Sequence, residues 1–117
     1  MKITKFEEII AWQKAQDLTV DIYSTFKNLK DFSFKDQISR ASISISNNIA
    51  EGFDRSSDAD FRRFLYISLG SCSEVKSMLY LAMRLKYIDR NEMEKLLSDA
   101  SEISKITHGL VRSLKKH

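Results

Sequence analysis

The chain has 117 residues, 43% of them hydrophobic and 30% charged, with a formal net charge of +3 at neutral pH. This length suits one domain with a real core, and the composition is that of an ordinary globular protein. There are no prolines and three glycines, whereas an all-β domain of this size needs many turn residues. The composition therefore predicts long helices. The mild basicity permits contact with nucleic acid but does not by itself argue for it.

Cysteine content and hydropathy indicate the cellular compartment of the protein. Cys72 is the single cysteine, so no internal disulfide is expected and a reducing compartment fits best. Uncharged runs are too short to span a bilayer, and no signal-peptide pattern is visible at the start. We therefore expect a cytoplasmic protein with no membrane partner.

Four capping patterns predict the starts of four helices. In each, an N-cap candidate is followed three positions later by an acid. The side-chain oxygen of the first accepts a free backbone N–H, and the acid complements the helix dipole. Four such matches at helix-length intervals are far more informative than one. They begin at Thr4, Ser33, Ser57 and Asp89.

The hydrophobic periodicity agrees with these starts. Apolar residues recur every three or four positions, as on one face of a helix. The predicted helices span about residues 5–29, 34–53, 58–86 and 90–115. Because the connections between them are short, consecutive helices should lie antiparallel. The expected fold is all-α, a single domain over 1–117 built as an antiparallel up-down-up-down four-helix bundle.

The stretch RASISISNNIAEGF, residues 40–53, raises an alternative. Its centre, with Ile43 and Ile45 between serines, alternates as a half-buried strand does. A lone strand among three helices would have nothing to pair with. At helical spacing, by contrast, Ile38, Ile45 and Ile49 line one face. We therefore predict that this stretch is the second helix.

The second and third helices are expected to meet across a polar contact. Across a tight antiparallel hairpin, the position numbers of facing residues add to a nearly constant total. Glu51 with Arg63 gives the same total as Arg40 with Glu74. The prediction is a polar seam closed at each end by one of these ion pairs. Its role would be to fix the register of the two helices.

Small and polar residues would fill the middle of this seam and let the two backbones approach each other. The alternative is that the charged groups stay solvated and pair within their own helices. In that case Arg40 pairs with Asp36, and Arg63 pairs with Asp60. The residues expected between the two ion pairs are Ser44, Asn47 and Gly70.

Motifs spread over nearly the whole chain resemble those of one bacterial family, the 23S rRNA intervening-sequence proteins, which are sometimes labelled ribosomal. They are WQKA at 12–15, RAS at 40–42 with Ser44-Ile45, NIAEG at 48–52, FxRFLxIxxGSxxE at 61–74 and LxYI at 85–88. The chain departs from the family at Ser46, where proline is frequent, and at Ser68, where alanine is usual. Neither departure threatens the fold.

The resemblance implies a bundle that assembles into a homo-oligomer, typically a ring-like pentamer, with no established enzymatic activity. In some members the gene lies within an rRNA gene. A related branch, the accessory variability proteins of diversity-generating retroelements, is similar in fold. That branch binds nucleic acid and a reverse transcriptase through a basic pentameric surface. The resemblance thus implies RNA or DNA, or a nucleic-acid enzyme, as the partner.

The residues independently favour assembly. The third helix carries large apolar side chains outside its core stripe, and a monomeric bundle this small cannot bury them all. The alternative is a wide core with scattered exposed apolar groups, which is normal on protein surfaces. The residues expected at a subunit interface are Trp12, Tyr23, Tyr66, Ile67, Tyr80 and Leu81.

Patterns typical of catalysis or metal binding are not found in the sequence. Di-iron bundles use Glu-x-x-His pairs, and neither His108 nor His117 follows a glutamate at that spacing. Cys72 lies on the apolar stripe of the third helix and is expected in the core. Glu51 and Glu74 fit ion pairs better than acid–base catalysis. We predict no enzyme, no cofactor and no small-molecule substrate.

Basic residues are the remaining functional signal. One group lies at the turn between the second and third helices and another at the end of the fourth, and we expect them at opposite poles of the bundle. Two functions stay open: a binding or scaffold protein that contacts RNA or DNA, and a structural or protein-partner module with no nucleic-acid role. The residues expected to contact nucleic acid are Arg55, Arg62, Arg112, Lys115 and Lys116.

Overall fold

The computed structural model describes residues 3–114, which fold into four α-helices preceded by a short 3₁₀ helix. Each helix packs against the next, α4 packs against α1, and α1 and α3 lie diagonally without contact. This arrangement is the predicted all-α up-down-up-down bundle, about 46 Å long. The elements are the 3₁₀ helix Phe6–Glu8 and the α-helices α1 (Ile10–Phe26), α2 (Phe32–Phe53), α3 (Asp58–Arg84) and α4 (Arg90–Leu114).

Two of the four predicted caps are confirmed. The Ser57 hydroxyl accepts a hydrogen bond from the backbone N–H of Asp60 (3.1 Å) at the start of α3. Before α4, the Asp89 carboxylate accepts from the N–H of Glu92 (2.8 Å), and the Glu92 carboxylate accepts from the N–H of Asp89 (3.0 Å). This reciprocal pair is a complete capping box, so both helix starts are fixed by their local sequence.

The caps predicted at Ser33 and Thr4 are wrong. The α2 cap is Asp31, whose carboxylate accepts from the N–H of Phe34 (3.1 Å) and starts the helix two residues earlier. The Thr4 N–H instead donates to the carboxylate of Glu8 (3.0 Å) beside the 3₁₀ helix. Helix α1 starts later than expected and has no side-chain cap.

Asp31 also joins the start of α2 to the turn between α3 and α4. Its second carboxylate oxygen accepts a hydrogen bond of 2.6 Å from the hydroxyl of Tyr87. This bond and the N–H of Phe34 hold the pKa of Asp31 below its usual value, because both stabilise the carboxylate. The same bond raises the pKa of Tyr87. The Tyr87 ring packs edge-on against Phe34, with centroids 5.3 Å apart.

Tyr87 reaches this position because of how α3 ends. The N–H of Lys86 donates to the carbonyl of Met83 (3.0 Å), and the N–H of Tyr87 donates to the carbonyl of Ala82 (2.9 Å). These two bonds form a Schellman motif. Lys86 takes the left-handed position at φ 63°, where glycine is the usual residue. The backbone reversal turns Tyr87 back toward α2.

The stretch predicted to be the second helix is helical throughout and contacts α3 through polar groups. The Ser68 hydroxyl donates to the carbonyl oxygen of Ile45 (2.9 Å), and the Ser71 hydroxyl donates to the hydroxyl oxygen of Ser44 (2.8 Å). The Ser44–Ser71 contact lies within one position of the predicted register. Ile45 and Ile49 are fully buried beneath these contacts. A polar seam between α2 and α3 is therefore present.

The ion pairs predicted to close this seam, Glu51 with Arg63 and Arg40 with Glu74, are wrong. Over residues 3–114 no salt bridge joins α2 to α3. Arg40, Glu51 and Arg63 each pair with a residue three or four positions away, and Glu74 accepts from a neutral amide of α2. The alternative of local pairing is correct. The contacts are Arg40–Asp36 (2.9 Å), Arg55–Glu51 (2.7 Å), Arg63–Asp60 (3.8 Å) and, between helices, a hydrogen bond from the Gln37 amide to Glu74 (3.2 Å).

The close approach of the two backbones occurs at Gly52 and not at Gly70, so the role predicted for Gly70 is wrong. A Cβ atom at Gly52 would lie 2.6 Å from the Cβ of Phe64 and 3.1 Å from the Cδ1 of Phe61. A Cβ at Gly70 would meet nothing within 4 Å, since this residue lies on the exposed side of α3. Gly52 is thus the residue that lets α2 and α3 close beside their connecting turn.

Helices α1 and α4 are bridged at their surface by charges. Lys14 pairs with Glu102 (3.5 Å), and Lys95 pairs with both Asp21 (3.3 Å) and Asp99 (2.7 Å). The hydrogen bonds to Asp99 and Asp21 raise the pKa of Lys95 by stabilising its ammonium form. On the side of α4 that faces α1, Asp99 and Glu102 therefore form ion pairs with lysines.

Candidate nucleic-acid interface

The basic groups predicted at opposite poles lie at the same pole. The Arg62 guanidinium donates to the carbonyl oxygen of Leu114 (3.3 Å), so α4 ends beside the start of α3. In an up-down-up-down bundle, the starts of α1 and α3 and the ends of α2 and α4 lie at one pole. The prediction that the end of α4 lies at the opposite pole from the α2–α3 turn was therefore a topological error. Arg55 follows α2 at this pole, and Arg112 lies in the last turn of α4.

Cations and carboxylates are unevenly divided between the two sides of the bundle. The segments 61–88 and 103–117 contain nine of the nineteen Lys and Arg residues but one of the sixteen Asp and Glu residues. That acid, Glu74, turns toward α2 and accepts from Gln37. The segments include α3 from Phe61 onward, without Asp58 and Asp60 of its first turn, and the second half of α4. The middle of the surface where these helices meet is therefore positive. Lys115 and Lys116 belong to the second segment but lie outside the described residues.

Three contacts define which edge of α3 borders α4. Arg62 bonds to the end of α4. In the middle, the Cys72 thiol donates to the carbonyl of Ala100 (3.1 Å) and accepts from the hydroxyl of Ser104 (3.2 Å). Burial raises the pKa of Cys72, which makes it a structural thiol rather than a reactive one. Residues three or four positions apart share a helix edge, and those at this edge with side chains at the surface are Arg62, Tyr66, Ser73, Lys76 and Tyr80.

Helix α4 contributes a matching row of exposed residues. They recur at the same spacing on the side where Ser104 meets Cys72, whereas Glu102 lies on the opposite side with Lys14. We call the α3 row and this row together the α3–α4 face. The residues from α4 are Ser101, Lys105, His108 and Arg112.

The cations of the α3–α4 face have no carboxylate partner. Within the described part of the chain, Arg62, Lys76, Lys105 and Arg112 form no salt bridge. Lys105 and Arg112 are also exposed, and the other two are half-buried. A cation without a neighbouring acid remains available for an external anion. The face can therefore bind a series of phosphates along about four helical turns.

Arg55 differs from these cations although it lies at the same pole. Its guanidinium pairs with Glu51 (2.7 Å) and lies 4.8 Å from the ring centroid of Phe64. Arg63 contacts the same ring at 4.6 Å. These contacts hold Arg55 and Arg63 against the α2–α3 turn. Arg55 is thus engaged inside the chain, whereas Arg62 and Arg112 continue into the α3–α4 face.

A family model described as the 23S rRNA-intervening sequence protein matches residues 7–109, which is most of the chain. The chain belongs to this family. The matched range includes the α3–α4 face except for the last turn of α4 and the residues after it.

One solved structure shows the same fold in a relative. It is a crystal structure of a protein with unknown function from the S23 ribosomal protein family of Bacteroides thetaiotaomicron VPI-5482. That protein is 31% identical to this intervening-sequence protein, with a TM-score of 0.82, and the match covers 87% of this chain and 98% of that one. Among curated proteins no match is found. The comparisons therefore identify the family and the fold.

The α3 residues predicted at a subunit interface separate into two groups. Tyr66 and Tyr80, 46% and 51% exposed, border the α3–α4 face. Ile67 and Leu81, 43% and 45% exposed, lie on the other edge, which faces α2. Neighbouring positions on a helix point about 100° apart, so the two groups form different surfaces. The tyrosines lie among cations, and the aliphatic pair lies beside the polar seam.

The α1 residues predicted at the interface form no common patch with those on α3. Trp12 is half-buried and packs edge-on against Phe6, with centroids 5.3 Å apart. Tyr23 is half-exposed, and Val20, which sequence analysis did not single out, is 66% exposed. Because α1 and α3 are diagonal in the bundle, these side chains face a different direction from Ile67.

Sequence analysis missed the two serines of the α3–α4 face and three of its basic residues, namely Lys76, Lys105 and His108. A signal for the basic residues was present, because residues 103–117 contain no acid and 61–88 contain one. These basic residues do not form a cluster in the sequence, because they are spaced by whole helical turns. Their absence of competing carboxylates is the informative property.

Other chemistry finds no support in the described residues. Over residues 3–114 no group of three or more His, Cys, Asp or Glu side chains is placed to hold a metal ion. Within the same range, none of the helices has the length and apolar character needed to cross a membrane. The α3–α4 face thus remains the strongest candidate site.

Proposed function

We propose that this chain is a non-enzymatic, homo-oligomeric binding protein that holds RNA or DNA on its α3–α4 face. The supporting observation is the segregation of charge. Four cations of the face form no salt bridge among the described residues, and Glu74 turns toward Gln37. The other acids near the face lie at its two ends, at Asp58 and at Glu94, which pairs with Arg90. A nucleic acid is the polyanion whose repeated phosphates match such a row. A scaffold or protein-partner module without a nucleic-acid role is the competing function, and salt-dependent binding separates the two.

Neutralising Lys105 and Arg112 together (Lys105→Gln, Arg112→Gln) is expected to weaken binding of a labelled RNA or DNA strand and flatten its salt dependence. Each lost phosphate contact reduces the slope of log affinity against log salt by about 0.7 to 0.9, so the pair should reduce it by about 1.4 to 1.8. Fluorescence anisotropy across a salt series measures both quantities.

The matched control changes Lys27 and Lys30 to glutamine. Both are exposed at the opposite pole, and the change in net charge is the same. This variant should bind nearly as the wild type does. Equal losses in both double variants would mean that net charge alone drives binding. If no RNA or DNA bound at low salt, the proposed function itself would be wrong.

Assembly into a ring, a pentamer as the family resemblance implies, forms the second part of the proposal. A ring needs heterologous contacts, in which one patch meets a different patch on the next subunit. The chain offers exposed apolar residues on two separate helices. On α1 they are the neighbours Val20 and Tyr23; on α3 they are Ile67 and Leu81, about 21 Å apart with Glu74 between them. Because α1 and α3 are diagonal, these two sets of residues are suited to serve two neighbours at once.

The substitution Ile67→Glu is expected to release single chains of 13.6 kDa from the assembly. A buried unpaired carboxylate is costly in an apolar contact, whereas on a free monomer surface it costs little. Multi-angle light scattering should give about five chains per particle for the wild type. Ile10→Glu, at a 51% exposed position at the start of α1 and ten residues before Val20, is the control. A wild-type mass of one chain would refute assembly.

A further inference from the structure

We infer that the nucleic acid held on the α3–α4 face is single-stranded, with bases stacked on Tyr66 and Tyr80. This inference rests on the proposed function and specifies its ligand. Unpaired bases have free π faces and stack on exposed aromatic rings. A duplex presents its phosphates while its bases remain stacked on one another. An aromatic ring beside each of the two α3 cations, Arg62 and Lys76, therefore favours a single strand over a duplex.

The two tyrosines belong to a repeated arrangement along α3. Arg62 lies four positions before Tyr66, and Lys76 lies four positions before Tyr80. Residues at this spacing are neighbours on the helix surface. The two units are fourteen residues apart, or about 21 Å along the axis and close to four whole turns. Each unit thus offers a cation for a phosphate and a ring for a base, on the same side of the helix.

The surface between the two rings is low. Ser73 lies midway and is exposed, and Leu69 is 9% exposed. Tyr66 and Tyr80 are 46% and 51% exposed, so exposed rings lie at both ends of this row of short or buried side chains. The strip between α3 and α4 along this row is called the groove. A strand that lies along it can contact both rings.

Helix α4 forms the other wall of this groove. The contacts Arg62–Leu114 and Cys72–Ser104 set the register, which places His108 about level with Tyr66. The only acid of α4 on this side is Glu94, near the level of Tyr80, and it pairs with Arg90 (3.9 Å). The groove is thus most positive beside Tyr66 and approaches neutrality beyond Tyr80.

The test compares a labelled mixed-sequence single strand, as RNA and as DNA, with the same strand annealed to its complement. Tyr66→Ala and Tyr80→Ala should each weaken single-strand binding by about 5- to 150-fold. Both should leave the duplex affinity and the salt slope unchanged, because no charge is removed. Tyr66→Phe and Tyr80→Phe keep the ring and should retain the affinity. The RNA and DNA arms show whether the sugar hydroxyl contributes.

Phe32→Ala removes an exposed aromatic ring outside the face and should not alter binding. Thermal unfolding of each variant separates lost stacking from lost structure, and the two phenylalanine variants provide a folded reference. Unchanged single-strand binding in both alanine variants, or a duplex bound as tightly as the strand, would overturn the inference. The proposed function would then stand only if the Lys105 and Arg112 double variant still lost binding. Absence of binding to every probe would remove both.

Discussion

Replacing Gly52 with alanine is expected to lower the free energy of unfolding by about 1 to 3 kcal/mol, the usual cost of overpacking. The new Cβ would lie 2.6 Å from the Cβ of Phe64, which is the rigid base of that side chain and cannot rotate away. The Cδ1 atom of Phe61, one turn earlier on α3, would lie 3.1 Å from it. The two helices would therefore have to separate beside their connecting turn. Urea denaturation measures the change.

The matched substitution Gly70→Ala should have the opposite sign. No atom lies within 4 Å of the added methyl group, and alanine in a helix interior is more favourable than glycine by about 0.5 to 1 kcal/mol. The pair separates helix propensity, which favours alanine at both sites, from packing, which opposes it at Gly52 alone. A stabilised Gly52→Ala variant would show that α2 and α3 do not approach as described.

The substitution Ile45→Ala is expected to cost about 2 to 5 kcal/mol, as for other fully buried aliphatic residues. Ile45 has no exposed surface and lies under the hydrogen bond from Ser68 to its own carbonyl group. Removing its side chain leaves a cavity between α2 and α3 that the surrounding helices can only partly close.

Ile43 provides the control for this prediction. In a strand, Ile43 and Ile45 would point to the same side and be equally buried. In the helix they differ by about 200°, and Ile43 is half-buried. Ile43→Ala should therefore cost no more than about 1 kcal/mol. Equal costs at the two positions, measured by the same denaturation, would contradict the helical assignment of this stretch.

The fold was predictable because its signals are local or depend on one simple rule. The caps at Ser57 and Asp89 act within three residues, and short connections require antiparallel neighbours. The cap of α2 was misplaced because Asp31 and Ser33 are both good N-cap residues. What distinguishes Asp31 is its bond to Tyr87, 56 residues further along the chain. Contacts at such separations are not visible in local sequence.

The register of α2 and α3 was predictable to one position, yet its ion pairs were not. Long charged side chains can reach several partners at similar energies, and exposed pairs gain little. Glu51 therefore pairs with Arg55 one turn away rather than with Arg63 across the seam. The α3–α4 face was recoverable in principle from the distribution of acids. The orientation of Glu74 away from that face required the structure.

The two sides of α4 have different charged groups, and the interactions of both depend on ionic strength. Toward α1, Lys95 and Glu102 join the helices through exposed ion pairs, which salt weakens. Toward α3, Lys105 and Arg112 form no salt bridge within residues 3–114, and in the proposed function they bind an anion. Added salt should therefore weaken the contact between α1 and α4 and also weaken the proposed binding of a polyanion to the α3–α4 face. A low-salt medium would stabilise the contact of α4 with α1, and a bound polyanion would stabilise the opposite side of α4, where it meets α3.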